Sequence, residues 1–446
     1  MTRKILVLAL SLALPGAVLA QQRQLSLDEA IAAGLEASPA LHASRMKVES
    51  SAARAREIAA ARLPAFRLGA GYTRLSEIPP FQVTLPISPN PIVVSQNYFN
   101  SWSLRLSAQQ PLFTGFRLEA GTRSARMLEA SAGWDLTKDR SEFVFAVKTA
   151  YWGLSRAREL ESVVADTIAQ VQEHLKDVRA FYDQGLLTKN EVLRAELQLS
   201  STELMRIDAR NAVEIARTSL NTLVGLPLET DLELTTQAEA AAAPAPDTAL
   251  APESAATQAL LDTALAARPE IKASDFRIKA SEANLKAARA GWYPQVSLAG
   301  NYYYLRPNPR ILPALDKFRS TWDIGLAVSL DVWNWGQTRS QTEQARAQLA
   351  QARDARKLLE DQAVLDVTQS RLALARARDK IKVAAQAVGQ AEENLRMVRD
   401  RFRQGVALNT DVLDAEVFLL QAKTSRTEAA IDLALAQARL EKALGN

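Results

Sequence analysis

Cysteine is absent from all 446 residues, which excludes disulfides, thiolate chemistry and a lipid anchored through an N-terminal cysteine. Histidine occurs only as His42 and His174, too few for a multi-histidine metal site, and no motif around either marks a Ser/His/Asp arrangement. No glycine loop of the phosphate-cradling kind is present, so the chain has no means of harvesting ATP, and an enzymatic reading finds no support. Neither sign of charge dominates: 54 basic and 50 acidic residues are interspersed, with a net charge of +4. That balance gives nucleic-acid binding little footing. Beyond residue 20 no apolar run is long enough for a membrane helix, so any membrane crossing must use other structure.

What is present begins with an address. Residues 1–20, MTRKILVLALSLALPGAVLA, set Arg3 and Lys4 before an apolar core that ends in small residues at Ala20. This reads as a cleaved export signal with the mature chain starting at Gln21, a retained anchor being the alternative. Cofactors and metals are not expected.

The remainder is written twice. YDQGLLTKNEVLRAE from Tyr182 is answered by FRQGVALNTDVLDAE from Phe402, an offset of 220 that aligns Gly185 with Gly405, Val192 with Val412 and Glu196 with Glu416. The same offset pairs Trp102 with Trp322. The first copy, 21–234, and the second, 255–446, flank an Ala/Pro linker at 235–254 that reads as solvated and extended. A proline-rich insertion, Glu77 to Asn97, lies between the first copy's strands and reads as an exposed loop. Each copy reads helix, strand, strand, long helix, turn, helix. Phe116 to Tyr182 and Gln337 to Phe402 run without proline, and each ends at a glycine turn. At the standard rise such a helix is about 100 Å long.

The strands separate this pattern from an ordinary coiled coil. In the first copy Trp102, Leu104 and Leu106 share a face; in the second, Trp322, Ile324, Leu326 and Val328 do so, while Ser101, Ser103, Arg105, Thr321 and Asp323 take the opposite side. An apolar face about nine residues long matches a tilted bilayer-crossing strand, and aromatic residues cluster near the strand ends as at membrane interfaces. Four strands cannot close a barrel in lipid, so the chain is expected to oligomerise. Two copies supply eight strands and a side-chain-filled interior; three supply twelve and leave room for a lumen.

The duplicated copies, the strand pairs opening into long helices and the YDQG…TKNEVLRAE and FRQG…NTDVLDAE turns resemble the TolC-like outer membrane factor family over nearly the whole mature chain. The resemblance implies a mainly helical fold with a β-barrel part: a homotrimer whose twelve strands form an outer membrane barrel, continued by a long α-helical periplasmic barrel. It implies the exit duct of a tripartite efflux pump or a type I secretion system. The partners would be outer membrane lipid, a periplasmic adaptor and an energised inner membrane transporter.

It also implies a periplasmic gate at the helical turns. On this sequence the matching positions are Asp411 and Asp414, with Glu191 across the turn. Repeated by symmetry these carboxylates would form a ring favouring cations. Acidic residues also suit a helix N-terminus, and Thr188 with Glu191 has capping-box spacing, so capping is the competing reading. The family's basic gate partner falls on Ala407 and its tyrosine on Phe402, which puts both latches in doubt. Adaptor docking is expected beside Gly185 and Gly405, with Arg194, Glu196 and Glu416 as contact residues. A periplasmic coiled-coil adaptor or scaffold is the alternative function.

Overall fold

Alanine, leucine, glutamine, arginine and glutamate lose little side-chain freedom in a helix, and runs of them set the long elements. A computed structural model describes residues 23–79, 81–83, 86, 92–95, 97–237, 253–312 and 314–445. The expected export signal and residues 238–252 of the linker lie outside the described residues. The elements are β1 (Arg23–Leu25), α1 (Leu27–Ala37), α2 (Pro39–Ala60), β2 (Ala65–Arg74), β3 (Phe81–Val83), β4 (Ile92–Ser95), β5 (Asn100–Thr114), α3 (Arg117–Asp183), α4 (Lys189–Val224) and β6 (Leu232–Leu234). They continue as α5 (Glu253–Ala267), α6 (Pro269–Ala288), a 3-10 turn (Arg289–Trp292), β7 (Gln295–Arg306), β8 (Arg319–Ser329), α7 (Gln337–Arg403) and α8 (Asn409–Ala443).

The mainly helical fold with two strand-bearing copies is as the sequence implies, and α3 and α7 are each 67 residues long. Three details differ from the sequence reading. The linker is shorter than expected, because Glu253 and Ser254 already open α5. The insertion is not simply a loop: Phe81–Val83 pairs antiparallel with Ile92–Ser95. β5 is also longer than its alternating core, extending to Thr114 across an irregularity between Pro111 and Phe113. Proline has no N–H for the ladder, and a bulge accommodates it.

The chain packs as two units, and each draws on both sequence copies: Met1–Leu41, Asp139–Ala267 and Ala363–Asn446 form one, His42–Lys138 and Arg268–Gln362 the other. The second unit holds a four-stranded antiparallel sheet ordered β2-β5-β7-β8. Strand leads to helix through two consecutive left-handed residues in each copy, Gly115 and Phe116 (φ 62° and 67°) and Trp335 and Gly336 (φ 53° and 78°). A Cβ on Gly115 would lie 2.5 Å from the Ala290 carbonyl oxygen, so only glycine fits this corner.

Among the described residues, the two largest buried clusters of the helical unit are separate from each other. One surrounds Tyr151, Trp152, Leu154, Leu220 and Ile431 and is sealed by β1 and β6, a short parallel pair that no alternation in the sequence announces. Tyr151 donates its hydroxyl to the Leu25 carbonyl (3.1 Å) and accepts from the Thr236 N–H (3.1 Å), binding both flanks of that pair. The other core, around Val178, Val192, Phe402 and Val412, underlies the two glycine turns.

Candidate functional site

In the sheet, cross-strand register gathers most of the large apolar side chains on one face, with Tyr303 and Leu305 standing on the other. Leu68 stands opposite Leu106 and Tyr72 opposite Trp102; Leu104 and Leu106 meet Tyr304 and Tyr302; Tyr302, Leu298 and Val296 meet Trp322, Leu326 and Val328. These side chains are open to the surroundings: Trp102, Leu104 and Leu106 are 40–44% exposed, and Trp322, Ile324, Leu326 and Val328 are 63–69% exposed. An apolar face this continuous is far larger than the scattered exposed leucines of a soluble surface. The other face is wet chemistry. Arg105 donates through Nε and Nη2 to Asn301 Oδ1 (3.1 and 2.8 Å), and Asn301 Nδ2 donates to Asp323 Oδ1 (2.7 Å).

In the helical unit, α3 turns into α4 at Gly185 and α7 into α8 at Gly405, both with φ 76°. Each turn closes with the glycine N–H donating back three residues, to Tyr182 (2.8 Å) and Phe402 (2.9 Å). Between the two hairpins lies a groove of about 730 Å³ lined by Leu187, Glu191 and Arg194 on one side and by Phe402, Leu408 and Thr410 on the other.

The acidic residues of these turns take distinct places. Asp411 is exposed and accepts from the Leu408 N–H through Oδ2 (3.0 Å), so it caps the α8 N-terminus. Asp414 is exposed one turn on. Glu191 does not join a capping box, since the Thr188 side chain makes no cap hydrogen bond. Its Oε2 instead accepts from Asn409 Nδ2 (2.9 Å), and its carbonyl accepts from the same amide (3.2 Å), which ties the first hairpin to the second.

Asn409 in turn faces buried His174 on α3, Oδ1 to Nε2 at 2.7 Å. Burial pushes the His174 imidazole below its ordinary value, against the pull of the Asn409 bond. Phe402 packs on His174 and Phe181 with ring centroids 5.2 and 5.4 Å away, and Ala407 joins the same core. Apolar packing thus occupies both positions where the resemblance would place latching groups.

Arg194 is exposed and Glu196 is half-buried, paired with Arg179 at 2.8 Å. Glu416 corrects the sequence expectation of a docking contact. It is 1% exposed, and Arg399 Nη2 donates to its Oε1 at 2.8 Å. Burial pushes its carboxyl up from the ordinary value while Arg399 pulls it back. The two ion pairs are one pair written twice, since Arg179–Glu196 and Arg399–Glu416 are related by the repeat offset. Carrying that offset upstream from the turns would have revealed them. The Arg105–Asn301–Asp323 and His174–Asn409–Glu191 chains had no such signal, because each joins residues far apart in sequence.

The sequence profile of the outer membrane efflux protein family matches residues 30–226 and 260–446. The chain belongs to that family. Among outer membrane efflux proteins it is 24% identical over 351 residues to BepC of Brucella suis, covering 78% of this chain and 73% of BepC. It is 24% identical over 348 residues to the alkaline protease secretion protein AprF of Pseudomonas aeruginosa, covering 77% and 69% of the two chains. The solved outer membrane protein VceC of Vibrio cholerae superposes with a TM-score of 0.76 at 22% identity, over 94% of this chain and 96% of that one. As an outer membrane efflux protein the chain resides in the outer membrane of Gram-negative cells, and the exposed apolar face of its sheet is the part suited to lipid.

Proposed function

We propose that this protein is the passive exit duct of an export assembly, a homotrimer in which three sheets join edge to edge as a twelve-stranded barrel and the helices form a tunnel. The single observation that carries this reading is the register of the sheet: one face is apolar across all four strands, while β2 and β8 stand at its two ends. In lipid, an unpaired strand edge leaves backbone groups with no partner, so the sheet must close with copies of itself. Two copies would make eight strands with a filled interior, and three make twelve with a lumen.

Asp411 and Asp414 form the acidic ring of the periplasmic aperture, with Glu191 steadying the opposite hairpin through Asn409. A periplasmic adaptor docks beside Gly185 and Gly405, on Arg194 and Glu196, and an energised inner membrane transporter supplies cargo and work. The chain itself performs no catalysis. Efflux pump and type I secretion use are both compatible with this duct.

The test is to fractionate membranes of cells expressing the full chain, solubilise them in detergent and read subunit number by native mass. A trimer from the outer membrane supports the duct. A species recovered in the soluble periplasm without detergent would sink it and favour an adaptor or scaffold.

A further inference from the structure

Charge on the sheet's polar face is one-sided. Among the charged residues of the four strands, Arg67, Arg105 and Arg319 lie on that face with one acid, Asp323; Arg74 and Arg306 fall in register with the apolar face. A fourth arginine reaches the polar face from outside the strands. Arg310 Nη1 donates to the Trp322 carbonyl (3.1 Å), and Nη2 stands 3.4 Å from Asp323 Oδ2.

The guanidinium carbons of Arg105 and Arg310 lie 5.4 and 5.8 Å from the same Tyr303 ring. Arg105 is held in place by the neutral Asn301 amide, so its positive charge is fixed in position without being cancelled. Asp323 is shared between Asn301 and Arg310, and one carboxylate cannot balance this group. Arg67, Arg105 and Arg310 are all exposed.

We infer that Arg67, Arg105 and Arg310 form a basic selectivity belt inside the barrel that favours anionic solutes. The inference rests on the duct reading: with the apolar face turned to lipid, the polar face lines the lumen, and threefold symmetry repeats the arginines around it. Fixed charges act across roughly a Debye length, about 8 Å at physiological ionic strength, and rings of arginine favour anions in a pore. The aspartates at the helical turns act in the opposite sense. The duct therefore carries two filters of opposite sign in series, the basic one in the membrane part.

Reversal potentials in planar bilayers under a KCl gradient test this, with the full-length protein bearing Asp411→Asn and Asp414→Asn so that the acidic ring does not mask the belt. In that background the pore should be anion-preferring. Arg105→Gln and, separately, Arg310→Gln should each lower the chloride-to-potassium permeability ratio about twofold or more, whereas Arg105→Lys should retain it. If Arg105→Gln fails to insert, Arg310→Gln, which lies outside the strands, carries the test. Channels of ordinary conductance whose reversal potential is unmoved by these changes would overturn the belt while leaving the duct intact. No channel from the unaltered protein would overturn the duct reading and the belt with it.

Discussion

At the scale of single residues, the duplicated ion pair is a built-in comparison of burial. Arg179–Glu196 and Arg399–Glu416 share a separation of 2.8 Å, yet the side-chain exposures are 57% and 37% for the first and 22% and 0% for the second. An exposed pair exchanges one well-solvated arrangement for another, so its removal changes little. The half-buried Arg399 that loses its fully buried carboxylate is left partly unpaired, although it keeps the Gln170 carbonyl at 3.2 Å. Glu416→Ala should therefore destabilise the protein by about 2–3 kcal/mol, while Glu196→Ala should leave the thermal transition nearly where it was. Equal shifts for both, read by melting the detergent-solubilised protein, would contradict the burial argument.

His174 makes the second residue-scale prediction. Its folded-state value lies below the ordinary one because burial disfavours the imidazolium. Asp177, Arg399 and Arg403 are the charged groups acting on it, and Asn409 is its hydrogen-bond partner. Unfolded chain then binds the proton first as pH falls, so stability rises with pH across this window and is lost downward from about pH 6.5. Melting temperatures at pH 7.5, 6.5 and 5.5 should decline more steeply for the native protein than for His174→Gln.

At the scale of elements, the two kinds of face obey different rules. On the apolar face of β8, Ile324 sits mid-strand with 69% exposure, and Trp322 lies nearer the strand end with 68%. An arginine at the bilayer midplane costs about 2–4 kcal/mol and one near the interface about 0–1. Ile324→Arg should accordingly cut the yield of assembled protein in the outer membrane more than Trp322→Arg, and Thr321→Arg, on the polar face, should be tolerated. A reversed order would mean that the apolar face does not meet lipid. The strand alternation was legible in the sequence because period two is a local pattern. The β1–β6 pair was not, because its three-residue strands gain their stability from Tyr151 and the surrounding core rather than from any repeat of their own.

At the scale of the whole molecule, the repeat is a rule of sequence more than of packing. Both packing units take segments from both copies, and the two largest buried clusters draw on both as well. The proposed acidic aperture belongs to this scale as well, since only threefold symmetry would make a ring of Asp411 and Asp414. Asp411→Asn keeps an oxygen for the Leu408 N–H, so α8 should stay capped while its charge is lost. With Asp414→Asn, single-channel conductance should rise and cation preference weaken. Unchanged conductance and selectivity would reduce both residues to features of the helix terminus.

Local chemistry in the sequence was sufficient to determine the alternating strands, the long helices, the glycine turns at 185 and 405, and the duplication that marks a member of the outer membrane efflux protein family. These depend on spacing and propensity, which act between neighbours along the chain. Burial was decided by the tertiary structure alone. Glu196 and Glu416 occupy equivalent sequence positions, but only the second is enclosed, because the copies face different surroundings after folding. The same holds for Glu191, Asn409 and His174, whose hydrogen-bonded chain exists only once three helices have brought them together.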